Sequence, residues 1–372
     1  MTMKMLSRQQ FLHRAAALCA TPLLLQACSA GARDDGYAAT VRRTWHPATS
    51  SAMQGAALRQ ELVRCATLAP SSHNTQCWRF HIEENAITVL PDLARRCPAV
   101  DPDDHHLYVS LGCAVENLAQ AALANGLKAQ ARIDTTASPA MRVALEPTRA
   151  VLSPLFQAIP ERQCTRGEFD GQAVSPADLQ LLARAGTGQG VHVLLLTGQD
   201  VMEKVLAHVV EANTAQMQDP AFVAELQQWI RFGEDEAVRT GDGLFSAASG
   251  NPSVPRWLGR LLFGMFFTEK GENDKYATQV RSSAGIAIFV SEADDKAHWV
   301  EVGRCYERFA LQATALGIRN AMLNQPVEVP AMRPRFAASM GIGSGRPDLV
   351  VRFGRGAAMP RSLRRPVAAV LV

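Results

Sequence analysis

A run of small neutral polar side chains stands between a predicted helix and a predicted strand. It occupies residues 69–80, Ala-Pro-Ser-Ser-His-Asn-Thr-Gln-Cys-Trp-Arg-Phe. Pro70 has no backbone donor and biases Ala69 away from helix, while Ser, Asn and Thr favour turns. A flat heteroaromatic ligand needs fixed neutral donors and acceptors beside apolar surface. The segment therefore predicts either such a ligand site or an ordinary polar surface turn.

Two distant segments carry guanidinium groups that suit an anion. Arg162, Thr165 and Arg166 form the pattern R-x-x-T-R, and Arg364 and Arg365 lie in R-S-L-R-R-P-V near the C-terminus. Guanidinium forks and a hydroxyl are good partners for a phosphate dianion. The alternatives are a solvated basic loop and a basic tail. Together with the polar turn, these segments predict one site for a ligand with a flat ring and an anionic tail.

The elements around these segments indicate an α+β fold. A helix is predicted over about 52–68, and alternating strands over Cys77–Glu83 and Ala86–Leu90. Long apolar helices are predicted over His105–Gly126 and Ala297–Ala315, each followed by a strand. Helices and strands mix without a steady β-α alternation, which argues against a doubly wound sheet. The two similar helix endings, at Gly126 and Gly317, hint at an internal duplication.

The polar turn resembles the signature of the nitroreductase family, A-P-S-(S/A)-x-N-x-Q-P-W-x-F. In that family the segment lines the FMN site, so the resemblance implies an FMN cofactor here. Cys77 departs from the pattern, because the family usually has Pro at that point. The positions that match are Ser71, Ser72, Asn74, Gln76, Trp78 and Phe80.

Further segments resemble the same family, in its Acg-like branch. The R-x-x-T-R run and the C-terminal R-R-P-V resemble phosphate-binding motifs, which implies that the FMN phosphate lies near both. The branch carries two nitroreductase-like halves that imitate a dimer, built of antiparallel-rich mixed sheets flanked by helices. The resemblance implies halves at 51–150 and 151–372, one FMN per chain, and a pseudo-dimeric monomer or homodimer. The implied cofactor-binding residues are Ser71, Ser72, Asn74, Gln76, Arg162, Thr165, Arg166, Arg364 and Arg365.

The first 28 residues are typical of an export segment. Three basic residues and no acids precede an apolar stretch, residues 15–27. Leu-Gln-Ala-Cys ending at Cys28 resembles a bacterial lipobox, and residues 7–12 resemble a twin-arginine signal with Gln9 in place of the second Arg. We expect an exported, periplasmic protein that reaches the membrane only through an acylated Cys28. Residues 29–50 are predicted to be a flexible tether.

Two other features could bear on a ligand. Residues 240–275 combine a glycine-rich loop with the apolar run W-L-G-R-L-L-F-G-M-F-F, which predicts a lid or a helix packed on the core. The run D-x-D-D-H-H at residues 101–106 could suggest a metal site, but adjacent histidines on a helix are expected to point apart. We predict no metal site. The net charge of +3 is small and no basic stripe argues for nucleic acid, so we predict no nucleic-acid partner.

The function predicted from these patterns is an FMN-dependent oxidoreductase that passes hydride or electrons to a small acceptor. NAD(P)H or another molecule would be the electron donor. No catalytic acid or base is required from the protein, because the flavin performs the chemistry. NAD(P)H should be scarce outside the cytoplasm, so an exported protein that only holds or sequesters FMN is the alternative. A third hypothesis is a lipoprotein whose flavin site no longer binds.

Overall fold

The computed structural model describes residues 36–47, 53–134 and 139–372. The predicted export segment and Cys28 lie outside the described residues. The strands are β1 (Trp78–Ile82), β2 (Ala86–Pro91), β3 (Leu127–Asp134), β4 (Ala140–Pro147), β5 (Val191–Leu196), β6 (Ile230–Arg231), β7 (Leu244–Phe245), β8 (Gly285–Ser291), β9 (Arg319–Met322) and β10 (Arg346–Gly354). The helices are α1 (Tyr37–Thr44), α2 (Gly55–Thr67), α3 (His105–Ala124), α4 (Pro154–Ala158), α5 (Pro176–Ala185), α6 (Gln199–Gln218), α7 (Pro220–Trp229), α8 (Glu234–Thr240), α9 (Arg256–Phe266), α10 (Glu269–Arg281), α11 (Lys296–Ala315), α12 (Gln325–Glu328) and α13 (Arg333–Ser339).

The described strands form two four-stranded antiparallel sheets and one short parallel pair. The first sheet has the order β1-β2-β4-β3 and the second β5-β8-β10-β9. In each sheet, the strand that comes last along the chain lies between the second and the third strands and pairs with both. A twenty-residue helix connects the second and third strands, α3 in one sheet and α11 in the other. The predicted α+β class, with antiparallel sheets flanked by helices, is confirmed.

The two long helices pack against each other in the core. Gly112 of α3 lies against the carbonyl of Val300, and Gly303 of α11 lies against the carbonyl of Val109. A β-carbon on either glycine would overlap that carbonyl oxygen, so both are required for the close approach. Among the described residues, α3 is long and apolar enough to cross a membrane, but most of it is buried in this core.

The prediction of a flexible tether over residues 29–50 is wrong for α1. The side chains of Tyr37, Val41 and Trp45 recur four residues apart and form an apolar stripe along this helix and the residue that ends it, Trp45. Tyr37 and Val41 pack beside α8, and Trp45 is buried. Burial of that stripe outweighs the turn-forming composition of the rest of the segment.

The predicted lid segment, residues 240–275, divides into two parts. Residues 241–250 lie against the polar turn through the backbones of Gly241 and Gly243. The apolar run forms α9, whose inner face packs on Phe232 through Gly259. The first part therefore borders the candidate site, whereas α9 has a large exposed apolar surface.

Candidate functional site

The polar turn has an unusual backbone. His73, Asn74 and Gln76 have φ angles of 50°, 52° and 54°, a left-handed conformation that non-glycine residues rarely adopt. Each such residue costs about 1–3 kcal/mol unless its surroundings fix it. Three in one four-residue stretch indicate a turn that is held in shape by strong contacts. Strain of this kind clusters at ligand-binding sites.

Asn74 provides one of these contacts. Its side-chain amide donates to the carbonyl of Gly243 at 3.0 Å and to that of Leu363 at 3.1 Å. The amide thus ties the turn to two segments that are remote in sequence. Its Oδ1 atom is buried and has no hydrogen-bond partner among the described residues. Asn74 therefore combines a structural role with one acceptor that remains available to a ligand.

Gln76 is fully engaged by the protein. Its Nε2 donates to the carbonyl of Gly241 at 2.8 Å, and its Oε1 accepts from the backbone N–H of Arg365 at 2.8 Å. Its own backbone N–H donates to Ser71 Oγ at 2.9 Å. The side chain expected to contact a flavin ring instead fixes the turn. Because Ser71 Oγ is the acceptor in this bond, its O–H group can still donate to a ligand. Ser71 lines the cleft described below, whereas Ser72 does not.

Arg162 and Arg364 meet at the end of α2. Arg162 donates to the carbonyl of Leu68 at 2.8 Å, and Arg364 donates to the same carbonyl at 3.1 Å. Arg364 also donates to Thr67 at 2.8 Å and Ala69 at 3.0 Å. These carbonyls have no partner within the helix, so the two guanidinium groups cap it. The cap holds the polar turn, which begins just beyond α2.

The turn and the two arginine segments surround one cleft. Four arginines line it, two from each segment, and it also receives Ser71 and Asn74 from the turn. The described cleft has a volume of about 60 Å³. The arginines are Arg162, Arg166, Arg361 and Arg364.

Two of the predicted anion-binding residues lie outside this lining. Thr165 is fully buried, and its backbone N–H donates to the carbonyl of Asn320 at 2.8 Å. Arg365 points away, donating to the carbonyl of Ala369 at 2.6 Å and approaching Asp92 at 3.7 Å. Neither the guanidinium of Arg365 nor the hydroxyl of Thr165 lines the cleft.

The cleft has an excess of buried positive charge. Glu307 lies 3.1 Å from Arg162, but burial raises the pKa of this carboxyl to about 7. Burial, followed by repulsion from Arg162, lowers the pKa of Arg364 to about 9. Arg166 has no hydrogen bond or ion pair of its side chain to any described residue. An anion bound in the cleft would offset this repulsion.

Trp45 completes the cleft and was not identified from the sequence. Its ring lies 4.7 Å from the guanidinium carbon of Arg361 and 4.9 Å from that of Arg364. Its Nε1 donates to the carbonyl of Ser362 at 3.0 Å. The four-residue spacing of the apolar side chains on α1 was the signal that could have placed Trp45 on a docked helix.

Cys77, the departure from the family pattern, faces the core. Its Sγ donates to the carbonyl of Leu107 at 3.9 Å and does not line the cleft. Burial raises the pKa of this thiol to about 12, so it stays protonated near neutral pH. The thiol is not positioned to react with a ligand in the cleft.

The adjacent histidines lie together, so the expectation that they point apart is wrong. The ring centroids of His105 and His106 are 4.4 Å apart, because both rings turn toward Asp348 on β10. Together with Asp101 they form a compact cluster of metal-ligating atoms. However, Arg346 lies 2.9 Å from His105 Nε2, and Asp101 accepts backbone N–H groups of the first turn of α3. A guanidinium at that atom disfavours a cation, so the cluster is a buried hydrogen-bond network.

A larger cavity of about 450 Å³ lies elsewhere, beside the start of α2. Its walls include apolar side chains such as Leu58 and Leu127, and its arginine, Arg59, donates to the carbonyl of Glu84 at 3.0 Å. It lacks the convergent arginines and the strained backbone of the smaller cleft. Chemistry rather than size therefore places the candidate site at the arginine-lined cleft.

Known proteins with similar sequences are named as nitroreductases. No protein-family model matches the chain. It is 26% identical over 304 residues to "Putative NAD(P)H nitroreductase Rv3131" of Mycobacterium tuberculosis strain H37Rv, which covers 79% of this chain and 83% of the relative. It is 23% identical over 319 residues to "Putative NAD(P)H nitroreductase acg" of the same strain, which covers 82% and 92%.

Solved structures of nitroreductases share lower similarity. A nitroreductase with bound FMN from Desulfitobacterium hafniense DCB-2 is 16% identical, covers 57% of this chain and 94% of its own, and gives a TM-score of 0.36. The FMN-dependent nitroreductase NfnB from Mycobacterium smegmatis, in complex with NADPH, is 13% identical. The match covers 58% of this chain and 91% of NfnB and gives a TM-score of 0.36. Over most of its length, this α+β chain is similar to proteins named as NAD(P)H nitroreductases.

Proposed function

We propose that the chain binds one FMN and that the arginine-lined cleft receives its phosphate. The observation that carries this proposal is the convergence of four guanidinium groups on a strained polar turn. Among the described residues, Glu307 lies 3.1 Å from Arg162 and the exposed Glu161 lies 3.0 Å from Arg361, which leaves Arg166 and Arg364 without an ion-pair partner. A phosphate dianion would supply the missing charge and accept several N–H donors. The relatives' names, together with the resemblance of the polar turn to the nitroreductase signature, support the choice of ligand.

The residues present fit the phosphate more closely than the ring. Small-molecule sites usually enclose about 300–1,000 Å³, several times the volume of this cleft. Leu244 and Ala248, from the segment that follows Gly243, form one wall. We infer that residues 241–250 move outward to admit the ring. The unpartnered Oδ1 of Asn74 and the hydroxyl of Ser71 would then be the nearest polar groups.

We propose an oxidoreductase as the function of the FMN-loaded protein. Bound FMN would supply the redox chemistry, the transfer of hydride or electrons from a donor to a small acceptor. The protein binds and orients the cofactor and limits access of water. The names of the relatives support NAD(P)H as the donor. The test is to add NADPH without oxygen to the FMN-loaded protein: loss of the oxidised-flavin absorbance supports a reductase.

One observation favours the alternative of FMN sequestration. The segment containing Gly241 and Gly243 is tied to the turn by Gln76 and Asn74, which keeps the described cleft narrow. A closed site would retain its ligand and slow access of a donor. Flavin absorbance that NADPH leaves unchanged, together with FMN that does not dissociate on gel filtration, would favour this function over turnover.

We propose that residues 51–150 and 151–372 descend from one duplicated unit. The identical strand orders of the two sheets support this, as do the reciprocal contacts of Gly112 and Gly303. The polar turn belongs to the first half, whereas Arg162 and Arg364 belong to the second. The cleft would thus correspond to a site between two subunits. A gel-filtration mass of one chain would agree with a pseudo-dimeric monomer.

We propose export and acylation at Cys28, supported by the basic and apolar pattern before it. The test is metabolic labelling of a bacterial host with a radioactive fatty acid. Labelled protein in the membrane fraction, lost in Cys28→Ala, supports acylation. Unlabelled protein in the cytosol would contradict the proposal.

A further inference from the structure

The outer face of α9 exposes a continuous apolar stripe. Trp257, Leu261 and Met265 follow one another at four-residue spacing, with exposed fractions of 71%, 54% and 52%. Residues four apart lie on the same side of a helix, so these side chains form one surface. Exposed side chains of this size, grouped together, indicate a surface that another apolar phase covers.

The same helix is held firmly to the protein on its inner side. A β-carbon on Gly259 would overlap the ring of Phe232, so the helix backbone lies directly on that ring. Arg256 forms an ion pair with Glu236 of α8 at 2.7 Å. The apolar stripe faces away from these contacts. It therefore remains exposed whichever position residues 241–250 take over the cleft.

The charges on α9 complement an anionic surface. The helix contains Arg256 and Arg260, both exposed, and no Asp or Glu. An exposed apolar face with Trp, flanked by arginine, is the composition of helices that lie in the interfacial layer of a bilayer. Trp prefers the level of the headgroups, and arginine attracts anionic lipids.

The start of the described chain lies beside α8, the helix that also holds α9. Tyr37, in the first turn of α1, packs on Phe245 with ring centroids 4.9 Å apart and contacts the cluster around α8, the helix that holds α9 through Glu236. Gly36 follows Cys28 by eight positions along the chain, and a chain extends by at most about 3.6 Å per position. An acylated Cys28 would thus keep the start of α1 within about 30 Å of the membrane. This distance limit depends on the proposed acylation, whereas the exposed apolar stripe of α9 is observed independently of it.

We propose that α9 is a membrane-docking helix that inserts Trp257, Leu261 and Met265 into the interface of an anionic phospholipid bilayer. The entrance to the cleft, bordered by residues 241–250, would then lie close to the lipid surface. Small apolar molecules dissolved in the bilayer would reach the cleft from there.

The test uses an unacylated chain beginning at Ser29, which retains every residue of the described hydrophobic core. Of the five tryptophans in the sequence, Trp257 is exposed and the others are buried. Vesicles of phosphatidylglycerol and phosphatidylcholine should shift its fluorescence to shorter wavelength and co-sediment with the protein. Pure phosphatidylcholine vesicles should bind less, because they offer no anionic lipid to Arg256 and Arg260.

A triple variant, Trp257→Ser with Leu261→Ser and Met265→Ser, should reduce vesicle binding by roughly tenfold or more. The matched control, Val151→Ser with Leu152→Ser, changes other exposed apolar side chains and should bind like the wild type. The melting temperatures of all forms should agree, because every changed side chain is on the surface. Equal vesicle binding by the triple variant would overturn the proposal. So would a blue shift produced by FMN alone, or a dimer in buffer that the triple variant abolishes.

Discussion

Arg166→Gln tests the phosphate assignment with the least disturbance of the fold. The guanidinium of Arg166 lines the cleft and makes no ion pair or hydrogen bond with any described residue. Its removal therefore leaves no native partner unsatisfied, and stability should stay within about 0.5 kcal/mol of the wild type. A hydrogen bond to a charged group contributes about 1.5–3 kcal/mol. The dissociation constant for FMN should rise by roughly 10- to 100-fold.

The assay is a titration of FMN fluorescence with protein, repeated with riboflavin, which lacks the phosphate. Arg166→Gln should weaken FMN binding and leave riboflavin binding unchanged. Raising the salt concentration should reduce the difference between the two ligands in the wild type. Arg335→Gln is the control, because Arg335 is exposed, pairs with Glu211 at 2.8 Å and does not line the cleft.

Two results would refute the reasoning. If Arg166→Gln weakened FMN and riboflavin equally, the side chain would act on the ring or on the fold rather than on the phosphate. If neither ligand changed, the anion would bind elsewhere. Circular dichroism of the variant separates a loss of structure from a loss of contact.

Three further predictions concern the structure around the site. Gly303→Ala should destabilise the protein by about 1–3 kcal/mol or more in urea denaturation, whereas Gly264→Ala, which has open space around it, should be neutral or stabilising. Asn74→Ala removes the ties of the turn to residues 243 and 363, so it should lower the melting temperature and speed FMN release in stopped-flow fluorescence; unchanged release would contradict the role of that tie. Burial raises the pKa of Glu307 from 4.5 to about 7. Between these two pH values the carboxyl is therefore mostly protonated in the folded protein and mostly ionised in the unfolded chain. Stability from this group therefore declines as pH rises from about 4.5 to about 7, and Glu307→Gln should remove up to about 3 kcal/mol of that decline, measured from melting temperatures at about pH 5 and pH 8.

Local patterns predicted much of the fold. Ser followed by Pro, as at Ser175 and Pro176, is typical of a helix start, and Ser175 Oγ accepts from the N–H of Asp178 at 3.1 Å. The helix endings at Gly126 and Gly317 were also expected, and both glycines have positive φ. Such features depend on the conformations of a few neighbouring residues. Sequence alone therefore carries enough information to place them.

Contacts between remote segments were harder to predict. The polar turn and the arginine segments were expected to converge, and the structure brings them to one cleft. The roles of individual side chains could not be assigned from the sequence. Gln76 and Arg364 were expected to bind the cofactor, but Gln76 donates to the carbonyl of Gly241 and Arg364 caps α2. A motif specifies residue types, but only the fold decides which buried backbone groups those residues must satisfy. The docking of α1 through Trp45 was missed for the same reason.

The stoichiometry of FMN binding tests the central claim most directly. Purified protein is saturated with FMN, separated from free ligand by gel filtration, and analysed for flavin and for chain concentration. One FMN per chain, displaced by neither riboflavin nor inorganic phosphate at equal concentration, is the predicted result. Protein that retains no flavin and quenches no FMN fluorescence would contradict the claim that the arginine-lined cleft and the polar turn form one cofactor site.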